Sequence, residues 1–409
     1  MMRHNRKVLV VLGGAEKSLP LVRCAKELGC KIVLIDRNRE SACRREADVF
    51  CEVSTLDHHK VVEIAQGHGA SGIVSFGSDL MALACARAAE ALGLPGNPPM
   101  AVETMVRKDL FRPFLAANGF ATPRHASAAD VSECDWSASG MRLPVIVKPS
   151  DSAGSAEVRR VENWADLAPA FMLAKNASRC GQVIVEEFIT RAHMNLIAGD
   201  IFVDDGRIAY FGLLDSHRAA AAAPFLPTGT SYPCSLDQRQ VLRIRTELQR
   251  LISALGLRSG PVNVELMFGE DDRIYAIELA PRNGGNAIPE LLGLAEGVDL
   301  VAALVDVSLG VSPAQPWPDF LPNPALDCIS NYMIHSPVAG RFSSLSIADE
   351  IMPHVRGMVL EVQKGDEVHL FDRAPNAIGT LWFRFDDARR QQDIAARLPD
   401  LVQVRLEQE

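Results

Sequence analysis

Along the first hundred residues, apolar and polar positions alternate between two periods. Lys7 to Leu12 is a β-branched apolar run that Gly13-Gly14 ends, as expected for a buried strand. From Leu19 to Leu28 apolar residues recur at helical spacing, and Gly29 closes the segment. Lys31 to Ile35, ending at Asp36, reads as the next strand. Val49 to Val53, a helix around Val61 to Gln66, and Gly72 to Phe76 repeat the rhythm. This alternation predicts a parallel α/β unit with a doubly wound sheet.

The pattern changes at Asn97-Pro98-Pro99, where a linker is expected. One helical segment follows, from Val102 to Asn118, carrying Arg107-Lys108. From Leu143 the chain turns β-rich, with strands predicted near Val145 to Lys148, Gln182 to Phe188, Leu196 to Val203 and Arg207 to Leu213. Arg239 to Leu255 has the periodicity of a long amphipathic helix. Val262 to Phe268 and Arg273 to Leu279 flank the polar Gly269 to Asp272 stretch, the pattern of a hairpin. Beyond the proline-rich Pro313 to Pro324 segment, a small β-rich unit with a closing helix is expected. The divisions implied are 1–100, 101–190, 191–322 and 323–409, with no internal repeat.

Composition narrows the function more than the fold. The 409 residues are 48% hydrophobic and 23% charged, with a net charge of -9 and a pI near 5.6. That balance provides no general attraction to nucleic acid or an anionic membrane, so any polyanion bound must be small and held locally. The N-terminal apolar run, Val8 to Gly13 at its outer limit, and the Ala219 to Ala223 run are too short for a signal sequence or a membrane span. Nine cysteines without a CxxC pair fit reduced thiols and a cytoplasmic protein.

Two acids stand out against their surroundings. Glu265 and Glu278 each interrupt an apolar strand, one on either side of the predicted hairpin. A buried, unpaired carboxylate costs several kcal/mol, and two side by side repel unless a cation sits between them. Hard oxygen ligands suit Mg²⁺, with waters and phosphates completing its shell. The plainer alternative is a solvated polar face on an edge strand. Directly after Glu278 comes Pro281-Arg282-Asn283-Gly284-Gly285-Asn286; an arginine fork beside glycines suits a phosphate or carboxylate. Upstream, Lys148 ends a strand and Ser150-Asp151-Ser152-Ala153-Gly154-Ser155 follows, a small-residue loop that could cover polyphosphate. It is not a GxxxxGK[ST] loop. The Gly13-Gly14 turn and Asp36 lack GxGxxG spacing, so a ligand or another domain approaching a helix N-terminus is expected there rather than a dinucleotide.

Taken in order, these segments resemble the ATP-grasp superfamily over nearly the whole chain. The resemblance runs through Phe76-Gly77-Ser78-Asp79, Leu94-Pro95-Gly96-Asn97, Lys108, the Lys148 strand with Gly154-Ser155, Glu186-Glu187-Phe188-Ile189, and Glu265 with Glu278 and Arg282. It implies an N-terminal doubly wound parallel α/β domain, a two-subdomain ATP-binding core of mixed α/β and α+β character, and a small β-rich C-terminal unit. It also implies ATP and Mg²⁺, with Mn²⁺ as a substitute. The activity implied is activation of a carboxylate as an acyl phosphate and its joining to an amine. By position, Lys108 and Lys148 resemble the lysines that hold ATP phosphates, and Ser152, Gly154 and Ser155 the loop over them. Glu186, Glu187, Phe188 and Ile189 resemble the hinge that reads adenine, with Glu186 taking its amino group. Glu265 and Glu278 match the metal acids, and Arg282 the arginine that stabilises charge at the transferred phosphoryl group or its acceptor. Asn283 is a candidate for completing the metal shell and, with Arg282, Asn286 and the Gly13-Gly14 turn, for the acceptor site. The chain departs from the pattern at three places. His193 stands where a ribose-binding Glu is common, Ala280 where an Asn metal ligand is common, and His217 and Arg218 are the nearest replacements for a loop cation. Small-molecule carboxylate and amine partners follow, with homodimers known among relatives. Two rival readings are a carboxylase that uses bicarbonate through carboxyphosphate, and an ATP-binding protein without activity.

Overall fold

The four early apolar runs pair side by side as a parallel sheet in the computed structural model, which describes residues 3–4, 6–136, 139–152, 154–155, 157–218, 225–318 and 328–407. Ala153, the Ala219 to Ala223 run and the end of the Pro313 to Pro324 segment lie outside the described residues. The strands are β1 (Val8–Leu12), β2 (Lys31–Ile35), β3 (Val49–Cys51) and β4 (Gly72–Ser75), in the order β3-β2-β1-β4. Helix α1 (Leu19–Glu27) packs Leu21, Val22 and Ala25 against Leu9, Val11 and Leu34 on one face. Helices α2 (His58–Gly67) and α3 (Asp79–Leu92) cover the other, where Val61, Ala65 and Ala88 meet Val10, Leu12, Val33 and Ile35. Burial on both faces is why these strands read as unbroken apolar runs. The doubly wound parallel sheet expected from the sequence is present.

The single helix expected from Val102 to Asn118 is two: α4 (Pro99–Val106) and α5 (Lys108–Ala117). Arg107 between them is extended, at φ -108° and ψ 104°. The Lys108 N–H donates to the Ser150 carbonyl at 2.8 Å. That tertiary hydrogen bond replaces a helical one, so the break carries Lys108 to the start of a new helix.

A four-stranded antiparallel sheet follows, β5-β8-β6-β7, built from β5 (His125–Ala128), β6 (Val145–Pro149), β7 (Arg159–Val161) and β8 (Val183–Glu187). Helix α6 (Leu167–Ala177) backs it, with Phe171 and Ala174 against Val145, Val147, Val183 and Val185. Next come β9 (Leu196–Asp204), β10 (Arg207–Arg218), β11 (Pro227–Tyr232), α7 (Gln238–Leu255), β12 (Gly260–Phe268), β13 (Ile274–Ala280), α8 (Ile288–Glu296) and α9 (Leu300–Ser308). Helix α9 returns to the N-terminal sheet, where Leu304 and Val305 join α1 on the same face.

The last stretch holds β14 (Cys328–Ile334), β15 (Gly340–Ile347), β16 (Val355–Leu360), β17 (Glu367–Val368), β18 (Gly379–Phe385), α10 (Ala388–Leu401) and β19 (Val402–Leu406). Its strands β14, β18 and β16 extend the sheet before them. One eight-stranded sheet therefore runs β13-β12-β9-β10-β11-β14-β18-β16, and a smaller one runs β17-β15-β19. No helix among the described residues is long and apolar enough to cross a membrane. Burial pushes the Cys43 thiol up to about 11 and the Cys234 thiol up to about 12, so neither supplies a thiolate near neutral pH.

Candidate active site

A cavity of about 580 Å³ lies where β6 and β8 of the four-stranded sheet face β9, β12 and β13 of the eight-stranded one. Most of the sequence-predicted residues line it: Lys108, Lys148, Ser152, Ser155, the Glu186 to Ile189 run, His193, Glu265 and Glu278. Gly154, Arg282 and Asn283 do not.

Glu265 and Glu278 are cross-strand partners in the β12–β13 pairing, directly opposite one another. The strand residues around them, Val264, Leu266 and Leu279, are fully buried, whereas both carboxylate side chains are 27% exposed. They therefore face the cavity rather than the core. Arg218 donates from Nη2 to Oε1 of Glu265 at 3.0 Å, and Lys108 Nζ lies 4.0 Å from Oε2 of Glu278. His217 and Arg218, the two residues proposed as loop cations, are neighbours on β10 and point to opposite faces as successive strand residues do, with a register slip against β11 between them. His217 turns the other way, bonds Ser231 Oγ at 2.7 Å, and is pushed down to about 4 by burial and by Arg218. Among the described residues no cluster of three or more His, Cys, Asp or Glu side chains forms. The acidic donor set is this pair.

Lys148 and Glu186 form a buried ion pair beside the cavity, 5% exposed each. Sequence reasoning missed the third member, Arg112, whose side chain is wholly buried. Arg112 donates to Oε2 of Glu186 at 2.8 Å, and to the carbonyls of Ala276 and Ile277 at 2.9 Å. One guanidinium thus ties α5 to β8 and β13, the geometry to which its planar fork is suited. Burial lowers Lys148 to about 8, with Arg112 and Lys108 acting in the same direction against the pull of Glu186. Burial also opposes the charge on Glu186, but Arg112 and Lys148 outweigh it and hold the carboxyl at about 2. Both oxygens of Glu186 are therefore engaged within the protein.

The loop after Lys148 is held from two sides. Lys108 Nζ donates to the Ser152 carbonyl at 2.8 Å, and Ser155 Oγ donates to the Phe225 carbonyl at 2.9 Å. Gly154 and Ser155 both have positive φ, 68° and 56°, the left-handed conformation that glycine adopts without strain. At the hinge, the Phe188 N–H bonds the Pro144 carbonyl at 3.0 Å and Arg160 sits over the Phe188 ring, 4.4 Å from its centroid. His193 accepts the Phe268 N–H on Nε2 at 3.0 Å, which leaves the proton on Nδ1. Burial and Arg191 lower its basicity, keeping the ring neutral.

Arg282 belongs to a neighbouring polar network. It donates from Nε to Asp79 at 2.7 Å and from Nη1 to Asn263 Oδ1 at 3.1 Å. Asn263 and the Gly284 N–H both bond the buried Asp200 carboxylate at 2.9 and 2.8 Å. Burial pushes that carboxyl up to about 6. Asn283 is fully buried in the same turn. The Gly13-Gly14 turn uses its donors internally: Gly13 N–H on the Ile35 carbonyl, Gly14 N–H on Asp36 at 2.7 Å. Its glycines admit Met81 and Ser41, not a ligand cradle.

Comparison with known proteins places this architecture. Residues 141–290 match the ATP-grasp domain and residues 22–96 the ATP-grasp N-terminal domain. The uncharacterized protein y4rH of Sinorhizobium fredii is 31% identical over 222 residues, 53% of this chain and 44% of that protein. Carnosine synthase 1 of Gallus gallus is 28% identical over 342 residues, 76% of this chain and 36% of that protein. The chain thus spans less than half the length of these curated relatives. The L-amino acid ligase of Bacillus licheniformis shares the fold, with a TM-score of 0.82 at 19% identity, over 99% of this chain and 100% of that one. With the two domain matches together spanning more than half of its residues, the chain belongs to the ATP-grasp superfamily.

Proposed function

We propose that the cavity binds ATP with Mg²⁺, and that the chain joins a small carboxylate to an amine with release of ADP and phosphate. The observation that carries this reading is the Glu265–Glu278 pair set against Lys108, Lys148 and Arg218 around one cavity. Two adjacent carboxylates favour a hard dication, and the surrounding cations favour phosphate. The donor set fits an ion that keeps several waters and shares phosphate oxygens, so Ala280 in place of an Asn ligand is tolerable. When bound, the ion neutralises phosphate charge and fixes phosphate geometry.

The chain's own residues do the rest. Lys108 and Lys148 hold phosphate oxygens, Glu186 orients Lys148 instead of reading the adenine amino group, and Phe188, Ile189 and Arg160 border the base. His193, with Nε2 on the Phe268 N–H and Nδ1 buried, forms part of the wall beside the ribose rather than a donor to it. Ser152, Gly154 and Ser155 cover the phosphates and exclude water, which would otherwise hydrolyse the activated carboxylate. Arg282, with Asn283 beside it, stabilises negative charge on the acceptor carboxylate. A carboxylate expels oxide too poorly to react with an amine directly; phosphorylation gives it a good leaving group, and positioning with charge neutralisation suffices for that transfer. The names carnosine synthase and L-amino acid ligase favour an amino acid as one substrate.

Phosphate release should be measured with MgATP across amino acids, dipeptides and bicarbonate, and the product identified by mass spectrometry. An amine-dependent amide product is expected; release with bicarbonate alone would overturn the amide reading. Glu278→Gln should lower turnover by more than about a hundredfold with the unfolding midpoint retained. Unchanged turnover would remove the metal assignment.

A further inference from the structure

The metal carboxylates are already neutralised by the chain. Arg218 is 3.0 Å from Glu265, and its side chain is only 14% exposed. Lys108 is more distant from Glu278, at 4.0 Å, and is committed to the Ser152 carbonyl at 2.8 Å. Around the two acids, these two cations cancel the local charge, and the burial of the cavity wall makes an uncancelled charge there costly. A dication added alone leaves a positive excess, and a polyphosphate added alone leaves a negative one. Added together they offset most of each other's charge, and one cation becomes free to change partner.

We propose that Arg218 is a built-in counter-ion for the metal site: it neutralises Glu265 until a divalent ion binds, then moves to the nucleotide phosphates, so that ion and nucleotide favour each other's binding. This rests on reading Glu265 and Glu278 as metal ligands. Three further contacts fit the exchange. Arg218 lines the cavity, so phosphates are within reach of the same side chain. Arg191 lines it too, its basicity lowered by burial and then by the charge of Arg218, so the two cations share one wall of the cavity. Finally, Arg218 Nη1 donates to the Phe225 carbonyl at 2.9 Å, the same oxygen that accepts Ser155 Oγ. Moving Arg218 thus frees an acceptor of the loop over the phosphates, and links ion exchange to that loop.

Calorimetric titration of the full chain with Mn²⁺ and ADP, separately and together, tests this without turnover. In the parent protein each ligand should tighten the other by about tenfold, since coupling is reciprocal. Arg218→Gln should bind Mn²⁺ alone about threefold more tightly, because its competitor is gone. The same variant should bind ADP more weakly and lose most of the coupling. Arg218→Lys, which keeps the charge, should stay near the parent, and thermal unfolding midpoints check that both variants are folded. If Arg218→Gln leaves Mn²⁺ affinity unchanged or weaker while coupling persists, the counter-ion role is overturned and the metal reading survives. If Mn²⁺ binds the parent neither alone nor with ADP, both fall together.

Discussion

Lys148 carries its charge in a place that resists it. Its ammonium is lost as pH rises through about 8, and a phosphate contact made by that ammonium is lost with it. ADP affinity should therefore fall by about tenfold between pH 7 and 9, the scale of a charged hydrogen bond. Lys148→Arg should flatten the profile, because arginine stays protonated. An affinity constant across that range would take Lys148 out of phosphate contact. Glu186 behaves oppositely. Its folded carboxyl is held at about 2 against an ordinary 4.5, so its stabilising contribution is complete above pH 4.5 and disappears as pH falls towards 2. Arg112, which makes this possible, was not legible in the sequence. It lies in an amphipathic helix, where an arginine reads as solvated, and its carboxylate partner is 74 positions away. Nothing local marks it.

At the scale of elements, the β12–β13 hairpin was the most legible part of the site. Two apolar strands separated by a short polar stretch mark the hairpin, but an unbroken register would set Glu265 opposite Ile277; a bulge between Glu265 and Leu266, which the pattern does not announce, brings it opposite Glu278. The turn that follows β13 was less so. Its glycines suggested anion binding, whereas Gly284 is there because the space is occupied. A Cβ at Gly284 would lie 2.8 Å from Asn263 Nδ2 and 2.9 Å from both Asp200 Oδ1 and Ile288 Cδ1. Gly284→Ala should cost about 1–3 kcal/mol in a denaturant titration, as overpacking does; a neutral result would mean the turn has slack. The split between α4 and α5 was hidden for a different reason. Apolar periodicity continues across Arg107, and only the Ser150 carbonyl, distant in sequence, interrupts it.

At the scale of the molecule, polar contacts that fasten the N-terminal domain to the core include the His4–Asp306 pair at 2.6 Å and, in the turn after β13, the bond from Arg282 to Asp79. The side chains of Arg282 and Asp79 are 13% and 15% exposed. Asp79→Ala leaves the guanidinium without its carboxylate and should lower the unfolding free energy by about 3 kcal/mol. An unchanged midpoint in chemical denaturation would mean that this pair adds nothing to the joining of the two domains. The architecture of the N-terminal domain could be read from its strand–helix rhythm, since each run is local. The return of α9 to that domain could not, because an apolar helix does not name the sheet it covers.

The eight-stranded sheet has one more implication, for anyone who shortens or recombines this chain. Every described residue lining the cavity lies before β14, which invites a cut in the segment ahead of Cys328. Such a cut would strip β11 of its neighbour, leaving the row from Gly229 to Tyr232 without the partners Tyr332 to Ile329. A bare central edge of that kind is a template for pairing between molecules. The C-terminal unit is thus not a detachable cassette. A replacement taken from a relative must match the strand register at Gly229–Tyr332 before its own chemistry matters.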